Sequence, residues 1–118
     1  MVRLIFVKLG YSFSGLCETW RTELSFRQWF FLVIGSDLVA LFISPNITLT
    51  TLVVAFGFLI LAAELINTAV EAIVDKTTPE IHELAKKSKD AASAMTFVTL
   101  LGLVSVWVGL LISIIGNK

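Results

Sequence analysis

The sequence contains few of the residues that cross-link or interrupt soluble folds. Among its 118 residues there are one cysteine, two prolines and one histidine, and only 15% of the residues are charged. The single Cys17 excludes an internal disulfide and a zinc site built from several cysteines. Nine basic residues balance nine acidic residues. No net charge therefore favours a nucleic acid, and we predict no nucleic-acid partner.

The familiar nucleotide-binding motifs are also missing. The sequence has no GxxxxGK[ST] phosphate loop and neither the HRD nor the DFG motif of soluble protein kinases. Any nucleotide site in this chain must therefore be built from a different arrangement of residues.

Long apolar segments are what the sequence has in abundance. Hydrophobic residues make up 57% of the chain, and the mean hydropathy is +0.92. A membrane-crossing helix needs roughly 20 apolar residues. We therefore predict a single all-α membrane domain over residues 1–118, with spans at residues 26–45, at 47–75 and, after a short loop helix, within 79–116.

The segments between the spans predict the orientation. Residues 1–25 carry several charges, but apolar side chains recur there at roughly helical spacing, which predicts an amphipathic helix lying at the membrane surface. Thr78, followed by Pro79 and Glu80, is typical of a helix start. Basic residues are concentrated before the first span and between the second and third. The positive-inside rule places both regions, including the N-terminus, in the cytoplasm.

Polar side chains line one face of the second span. At about 100° per residue, Glu64, Asn67, Glu71 and Asp75 fall within an arc of roughly 80°. We call these four residues the polar stripe. An ionised carboxylate in hydrocarbon costs on the order of 3 kcal/mol. The stripe must therefore face protein or water.

Two interpretations of the polar stripe are open. Isolated amide and hydroxyl groups favour hydrogen bonds that join helices in an oligomer. Two glutamates and an aspartate on one face favour a functional site. Carboxylates, an amide and a nearby lysine suit phosphoryl transfer, in which acids hold a divalent metal on the phosphates and a base serves the acceptor hydroxyl.

Four sequence motifs carry a resemblance to a known family. They are GYSFSGL at residues 10–16, FRQ at 26–28, ELINTAVEAIVDK at 64–76 and HELAKKSKDAASA at 82–94. Together they resemble the prokaryotic diacylglycerol kinase family in motif order and spacing. The resemblance implies a homotrimeric three-span enzyme of the bacterial inner membrane, with each site shared between neighbouring subunits.

The resemblance also implies a role for individual residues in a reaction between ATP, Mg²⁺ and a membrane lipid. Glu64 resembles the general base for the lipid hydroxyl, Glu23 and Glu71 resemble the magnesium ligands, and Asn67 resembles a supporting amide. Beyond these groups, the implied ATP contacts are Tyr11, Glu80, His82, Lys89 and Asp90. The implied lipid contacts beside Glu64 are Trp20, Phe26, Arg27, Gln28 and Ser93.

The chain departs from the family pattern at a few positions. Lys8 lies two residues before the Gly-Tyr pair, where the family often has a basic residue three before it. Trp29 follows FRQ where diacylglycerol-type members commonly have glutamate. Asp37 lies about two turns deeper in the first span, where it either compensates for that glutamate or hydrogen-bonds within the helix bundle, and we favour the second interpretation.

These observations lead to one preferred function and two alternatives. We expect an ATP-dependent diacylglycerol kinase that forms phosphatidic acid. An undecaprenol kinase is the alternative within the family, because such proteins share the ExxNxxxE core. The alternative from another class is a non-catalytic membrane oligomer or channel, in which the polar stripe is structural or lines a pore.

Overall fold

The computed structural model describes residues 1–78, 80 and 82–118. These residues form four helices: α1 (Val2–Thr22), α2 (Leu24–Ile43), α3 (Ile47–Thr77) and α4 (Glu83–Gly116). The part of the chain that the structure describes is therefore all-α, as predicted.

Three of the helices, α2, α3 and α4, are long and apolar enough to cross a membrane. Helices α3 and α4 contain 31 and 34 residues, so at about 1.5 Å per residue each is longer than the roughly 30 Å hydrocarbon core of a bilayer. In both helices, one end contains several charged residues, at residues 71–76 of α3 and 83–90 of α4. Both charged ends belong outside the hydrocarbon.

Buried residues recur every seven positions along each of the three long helices. On α2 they are Phe26, Val33 and Ala40, and on α4 they are Thr96, Leu103 and Leu110. On α3 the spacing alternates between three and four, through Thr50, Val53, Gly57, Ile60 and Glu64. A seven-residue period is the signature of helices that cross at a shallow left-handed angle. We call the α3 set the packing stripe.

Two glycines allow the helices to approach closely. A Cβ atom at Gly57 of α3 would lie 2.6 Å from Cγ1 of Val33 on α2, and one at Gly102 of α4 would overlap the Phe56 ring on α3. Small residues at such crossings are what drives helix association in membranes, where dispersion contacts replace the hydrophobic effect.

The chain bends between α1 and α2 at Glu23, whose backbone is extended. Arg27 stabilises this bend, because its guanidinium donates hydrogen bonds to the carbonyl oxygens of Trp20 and Arg21 at the end of α1. Thr19 is the one buried residue of α1, so this helix has only a small contact with the rest of the chain. Its position at the membrane surface stays a prediction.

The start of α4 differs from the expected one. Thr78 ends α3, its backbone N–H donating to the Val74 carbonyl. His82 is instead the N-cap of α4, because its Nδ1 accepts the Leu84 N–H at 3.1 Å. The prediction of Thr78 as a helix start is wrong, and Pro79 lies outside the described residues. No separate loop helix precedes the third span in the described segment, because α4 is continuous from Glu83.

Two polar side chains of α2 face the bundle. Ser36 accepts a hydrogen bond from Nε1 of Trp107 on α4 at 2.8 Å. Asp37 packs beside Gly57, but within the described residues its buried Oδ1 has no hydrogen-bond partner. The hydrogen bond expected for Asp37 is therefore missing at that atom in the single chain.

Candidate functional site

The deepest carboxylate of the polar stripe is held by a neighbouring helix. Glu64 is only 5% exposed, and its Oε1 accepts a hydrogen bond of 2.8 Å from the hydroxyl of Thr96 on α4. Thr96 is itself 4% exposed. A buried acid without a partner would be costly, and the Thr96 hydroxyl supplies one.

The middle of the polar stripe is a hydrogen-bonded pair. Asn67 and Glu71 lie one turn apart on α3, both half-buried, and Nδ2 of Asn67 donates to Oε1 of Glu71 at 3.4 Å. Among the described residues, Oδ1 of Asn67 is buried and has no hydrogen-bond partner. An unpaired buried oxygen beside a carboxylate is a place where a cation or a donor group would be stabilised.

The carboxylates do not form a closed metal site within one chain. Over residues 1–78, 80 and 82–118, no three Asp, Glu, His or Cys side chains come together as metal ligands. Glu23, predicted as a magnesium ligand with Glu71, lies at the bend after α1 and accepts a hydrogen bond from Thr22 at 3.1 Å. Mg²⁺ commonly binds through one or two carboxylates, substrate phosphates and water. The oxygen atoms of Asn67 and Glu71 fit such a partial set.

A charged cleft of about 310 Å³ lies at the Asp75 end of the polar stripe, where the charged ends of α3 and α4 meet. Four of the predicted ATP contacts line it, namely Glu80, His82, Lys89 and Asp90. Asp75 and Lys86 line the cleft as well. The structure thus brings together side chains that the sequence places on two helices and a loop.

Ion pairs cross and border this cleft. Nζ of Lys89 donates to Oδ1 of Asp75 at 2.8 Å and so joins α4 to α3. The hydrogen bond to Asp75 and the negative charge there raise the pKa of the Lys89 ammonium, with a smaller contribution from Glu71. Lys86 pairs with Asp90 one turn away on α4. These lysines are charged at neutral pH and would attract phosphate groups.

An apolar groove of about 740 Å³ runs between α1, α2 and α3. Trp20 and Phe26, two of the predicted lipid contacts, line it together with Phe58, Leu61 and Leu65 of α3. The Trp20 ring packs edge-on against Phe30, with ring centroids 5.1 Å apart. The groove has the apolar lining that an acyl chain requires.

The other predicted contacts lie outside these two cavities. Tyr11, Gln28 and Ser93 are exposed on the single chain, and Tyr11 is 73% exposed. Arg27 is engaged in capping the end of α1. Their predicted contacts with ATP or lipid stay predictions.

Thr96, which bonds to Glu64, and Lys86, which lines the cleft, were not predicted as site residues from the sequence. Thr96 lies within a long apolar segment, where a threonine commonly contributes to helix packing. Nothing about this residue alone predicts a contact with Glu64. The only signal is periodic: Lys89, Thr96 and Leu103 are seven residues apart and lie on the same face of α4.

A three-span helical membrane protein with a buried carboxylate beside a charged cleft is the class that the fold and site define. A family model described as prokaryotic diacylglycerol kinase matches residues 10–111. The chain belongs to the prokaryotic diacylglycerol kinase family.

Three relatives give the scale of the similarity. The diacylglycerol kinase of Escherichia coli strain K12 is 33% identical over 107 residues, which cover 91% of this chain and 88% of the relative. That of Pseudomonas aeruginosa is 36% identical over 103 residues, covering 87% and 84%. That of Helicobacter pylori strain 26695 is also 36% identical over 103 residues, covering 87% and 80%.

Proposed function

We propose that this protein is a lipid kinase that transfers the γ-phosphoryl group of ATP to the hydroxyl of diacylglycerol and forms phosphatidic acid. The observation that carries the proposal is the position of Glu64. Glu64 is a buried carboxylate that accepts a hydrogen bond from Thr96. It lies on α3, and the charged end of this helix lines the cleft.

The reaction needs a base at the acceptor hydroxyl. The lipid oxygen attacks the γ-phosphorus, the bond from that phosphorus to the β,γ-bridging oxygen breaks, and ADP leaves. The proton of the lipid hydroxyl passes to Glu64, which returns it to water after the transfer. Most of the rate enhancement in phosphoryl transfer comes from positioning and charge neutralisation.

The nucleotide would occupy the cleft at the charged ends of α3 and α4. Lys89 would exchange its contact with Asp75 for a phosphate oxygen, and His82 and Asp90 border the same space. Glu80 lines this cleft too. An adjacent basic side chain and the start of a helix both favour bound anions.

Glu71 and Glu23 would hold Mg²⁺, and the free Oδ1 of Asn67 would support it. When bound, Mg²⁺ neutralises charge on the β- and γ-phosphates. One chain supplies too few ligands in its described residues, so we assign Glu23 to the site of a neighbouring subunit in a homotrimer.

The acceptor would lie in the membrane with an acyl chain along the groove of Trp20 and Phe26. Arg27, Gln28 and Ser93 would contact its polar end. We further propose a multi-pass protein of the bacterial inner membrane with a cytoplasmic N-terminus, since the basic residues flank that side of the spans.

The test uses the purified full-length protein in lipid bicelles, labelled ATP and Mg²⁺, with diacylglycerol or undecaprenol offered in separate reactions. We expect labelled phosphatidic acid and little labelled polyprenol. Preferential labelling of undecaprenol would replace the proposed acceptor. Labelling of neither lipid, by a protein that is folded and oligomeric, would overturn the kinase proposal.

A further inference from the structure

Thr96 makes an uncommon contact for a hydroxyl on a helix. Its Oγ1 lies 2.8 Å from Oε1 of Glu64, and the two residues are 4% and 5% exposed. It is a bond between helices, joining α4 to α3 across 32 positions of sequence. Both groups are removed from water, so neither has an easy alternative partner.

Several other hydroxyls of α3 and α4 form hydrogen bonds within their own helix. Serines and threonines commonly donate to the carbonyl oxygen four residues earlier, and Thr51, Thr77, Ser88 and Thr99 do so. Thr99, less than one turn beyond Thr96, donates to the Met95 carbonyl at 2.8 Å. Thr96 gives its hydrogen to the Glu64 carboxylate instead.

The helix packing keeps Thr96 in place. Leu103, seven residues further along α4, is 3% exposed in the core, and Lys89, seven residues earlier, pairs with Asp75 of α3. Contacts on both sides of Thr96 therefore hold this face of α4 against α3. A β-branched side chain on a helix also has few rotamers. The hydroxyl consequently has a defined position relative to Glu64.

We propose that Thr96 is a positioning residue for phosphoryl transfer: it binds Oε1 of Glu64 so that Oε2 is left to take the proton of the lipid hydroxyl. The inference rests on the proposed function of Glu64 as the base. Thr96 itself touches neither substrate. A carboxylate displaced by about 1 Å from its productive position loses on the order of a hundredfold in rate.

The experiment compares three variants with the wild-type protein in the lipid kinase assay. Thr96→Val removes the hydroxyl and keeps the branched shape, and Thr96→Ser keeps the hydroxyl. Thr99→Val is the matched control, because the hydroxyl it removes bonds only to its own helix. The values of kcat and of KM for ATP and for lipid are measured, with oligomer size and thermal midpoint recorded for each variant.

For Thr96→Val we expect kcat to fall by about ten- to a hundredfold while both KM values stay within about twofold. Thr96→Ser should recover kcat to within about threefold of wild type, and Thr99→Val should leave it unchanged. If Thr96→Val does not assemble, Thr96→Ala and Thr96→Ser carry the same comparison.

Three results would overturn the assignment of Thr96: a kcat of Thr96→Val near that of wild type, no recovery by Thr96→Ser, or a loss confined to KM. A wild-type protein that phosphorylates no lipid would overturn the proposed function instead. The wild-type reaction thus separates failure of the function from failure of the Thr96 assignment.

Discussion

The two halves of α3 share one helical register but differ in what they bury. From Thr50 to Ile60 the packing stripe is largely apolar and is covered by α2 and α4, with Val53 and Ile60 fully buried. From Glu64 onwards the same three- and four-residue spacing continues through Asn67 and Glu71, but the side chains are polar and increasingly exposed.

The difference shows how a packing surface becomes a site without a change of fold. In the first half, each position fills space between helices. In the second half, Glu64 is buried by the neighbouring helices, whereas Glu71 is only half-buried. Polar groups at membrane helix contacts are costly unless they are partnered or functional. These polar groups are concentrated in the half of α3 that follows Ile60. Their position favours a catalytic role for that half and helix packing for the other half.

Moving a carboxylate into the apolar half would break this division. Ile60 is fully buried in the apolar half, one turn before Glu64. The carboxylate of Glu64 accepts a hydrogen bond from Thr96, whereas a carboxylate at position 60 would lie among apolar side chains. For Ile60→Glu we expect a loss of about 3 kcal/mol or more in folding free energy, seen as loss of the wild-type elution peak on size-exclusion chromatography. Ile60→Leu is the control and should cost less than about 1.5 kcal/mol. An Ile60→Glu protein as stable as the wild type would remove the distinction between the two halves.

The close approach of α2 to the apolar half gives the next largest effect. In Gly57→Ala the new methyl would meet the stiff Val33 side chain at 2.6 Å. We expect a loss of about 1–3 kcal/mol from overpacking, measured as a lower thermal midpoint. Gly109→Ala is the matched control, because a Cβ there would meet nothing within 4 Å. Equal midpoints for the two variants would contradict the packing assigned to Gly57.

Removal of a proposed magnesium ligand should affect the polar half and leave the fold intact. For Glu71→Ala we expect the Mg²⁺ concentration required for half-maximal activity to rise about ten- to a hundredfold, with little change in thermal midpoint. Glu18→Ala serves as a control, since its carboxylate is exposed and its ion-pair partner among the described residues is Arg21 on α1. An unchanged Mg²⁺ requirement in Glu71→Ala would remove this residue from the metal site.

The smallest effect on stability is expected for Asp75→Asn, at the exposed end of the polar stripe. Because the pKa of Lys89 is raised above its ordinary 10.5 by Asp75, the pair stabilises the folded protein below that value, and its contribution is lost as the pH rises through the raised pKa. The variant should therefore lower the thermal midpoint slightly at pH 7, by less than Gly57→Ala. The difference from wild type should shrink above about pH 10.5. A difference that grows with pH would contradict this assignment.

Much of the fold follows from the sequence because long apolar segments are a direct signal in membranes. The break between the first two predicted spans also follows, and Asn46 at that break caps α3 by accepting the Leu49 N–H. The start of α4 could not be predicted from the sequence, because the side chains of Thr78 and His82 can both accept the hydrogen bond that caps a helix. The choice between them depends on how far α3 continues, and α3 runs to Thr77.

The site could be predicted only in part, for a related reason. Helical spacing brings Glu64, Asn67 and Glu71 onto one face of a single helix, so the polar stripe is visible in the sequence. The partner of Glu64 lies on another helix, and the register between α3 and α4 is fixed by contacts such as Phe56 with Gly102. The seven-residue spacing of Lys89, Thr96 and Leu103 puts Thr96 on one face of α4 with them, but nothing within α4 alone shows which residue of α3 it contacts.

The most direct test of the change of role along α3 is the turnover rate per folded protein of Glu64→Gln and Ile60→Val, measured with saturating MgATP and diacylglycerol. These neighbouring positions lie one turn apart on the same stripe. We expect Glu64→Gln to fold as the wild-type protein does and lose about 10²- to 10⁴-fold in kcat, since a general base contributes on that scale. Ile60→Val should cost about 0.5–1.5 kcal/mol in stability and keep its turnover rate. A Glu64→Gln protein with near-normal turnover would contradict the account.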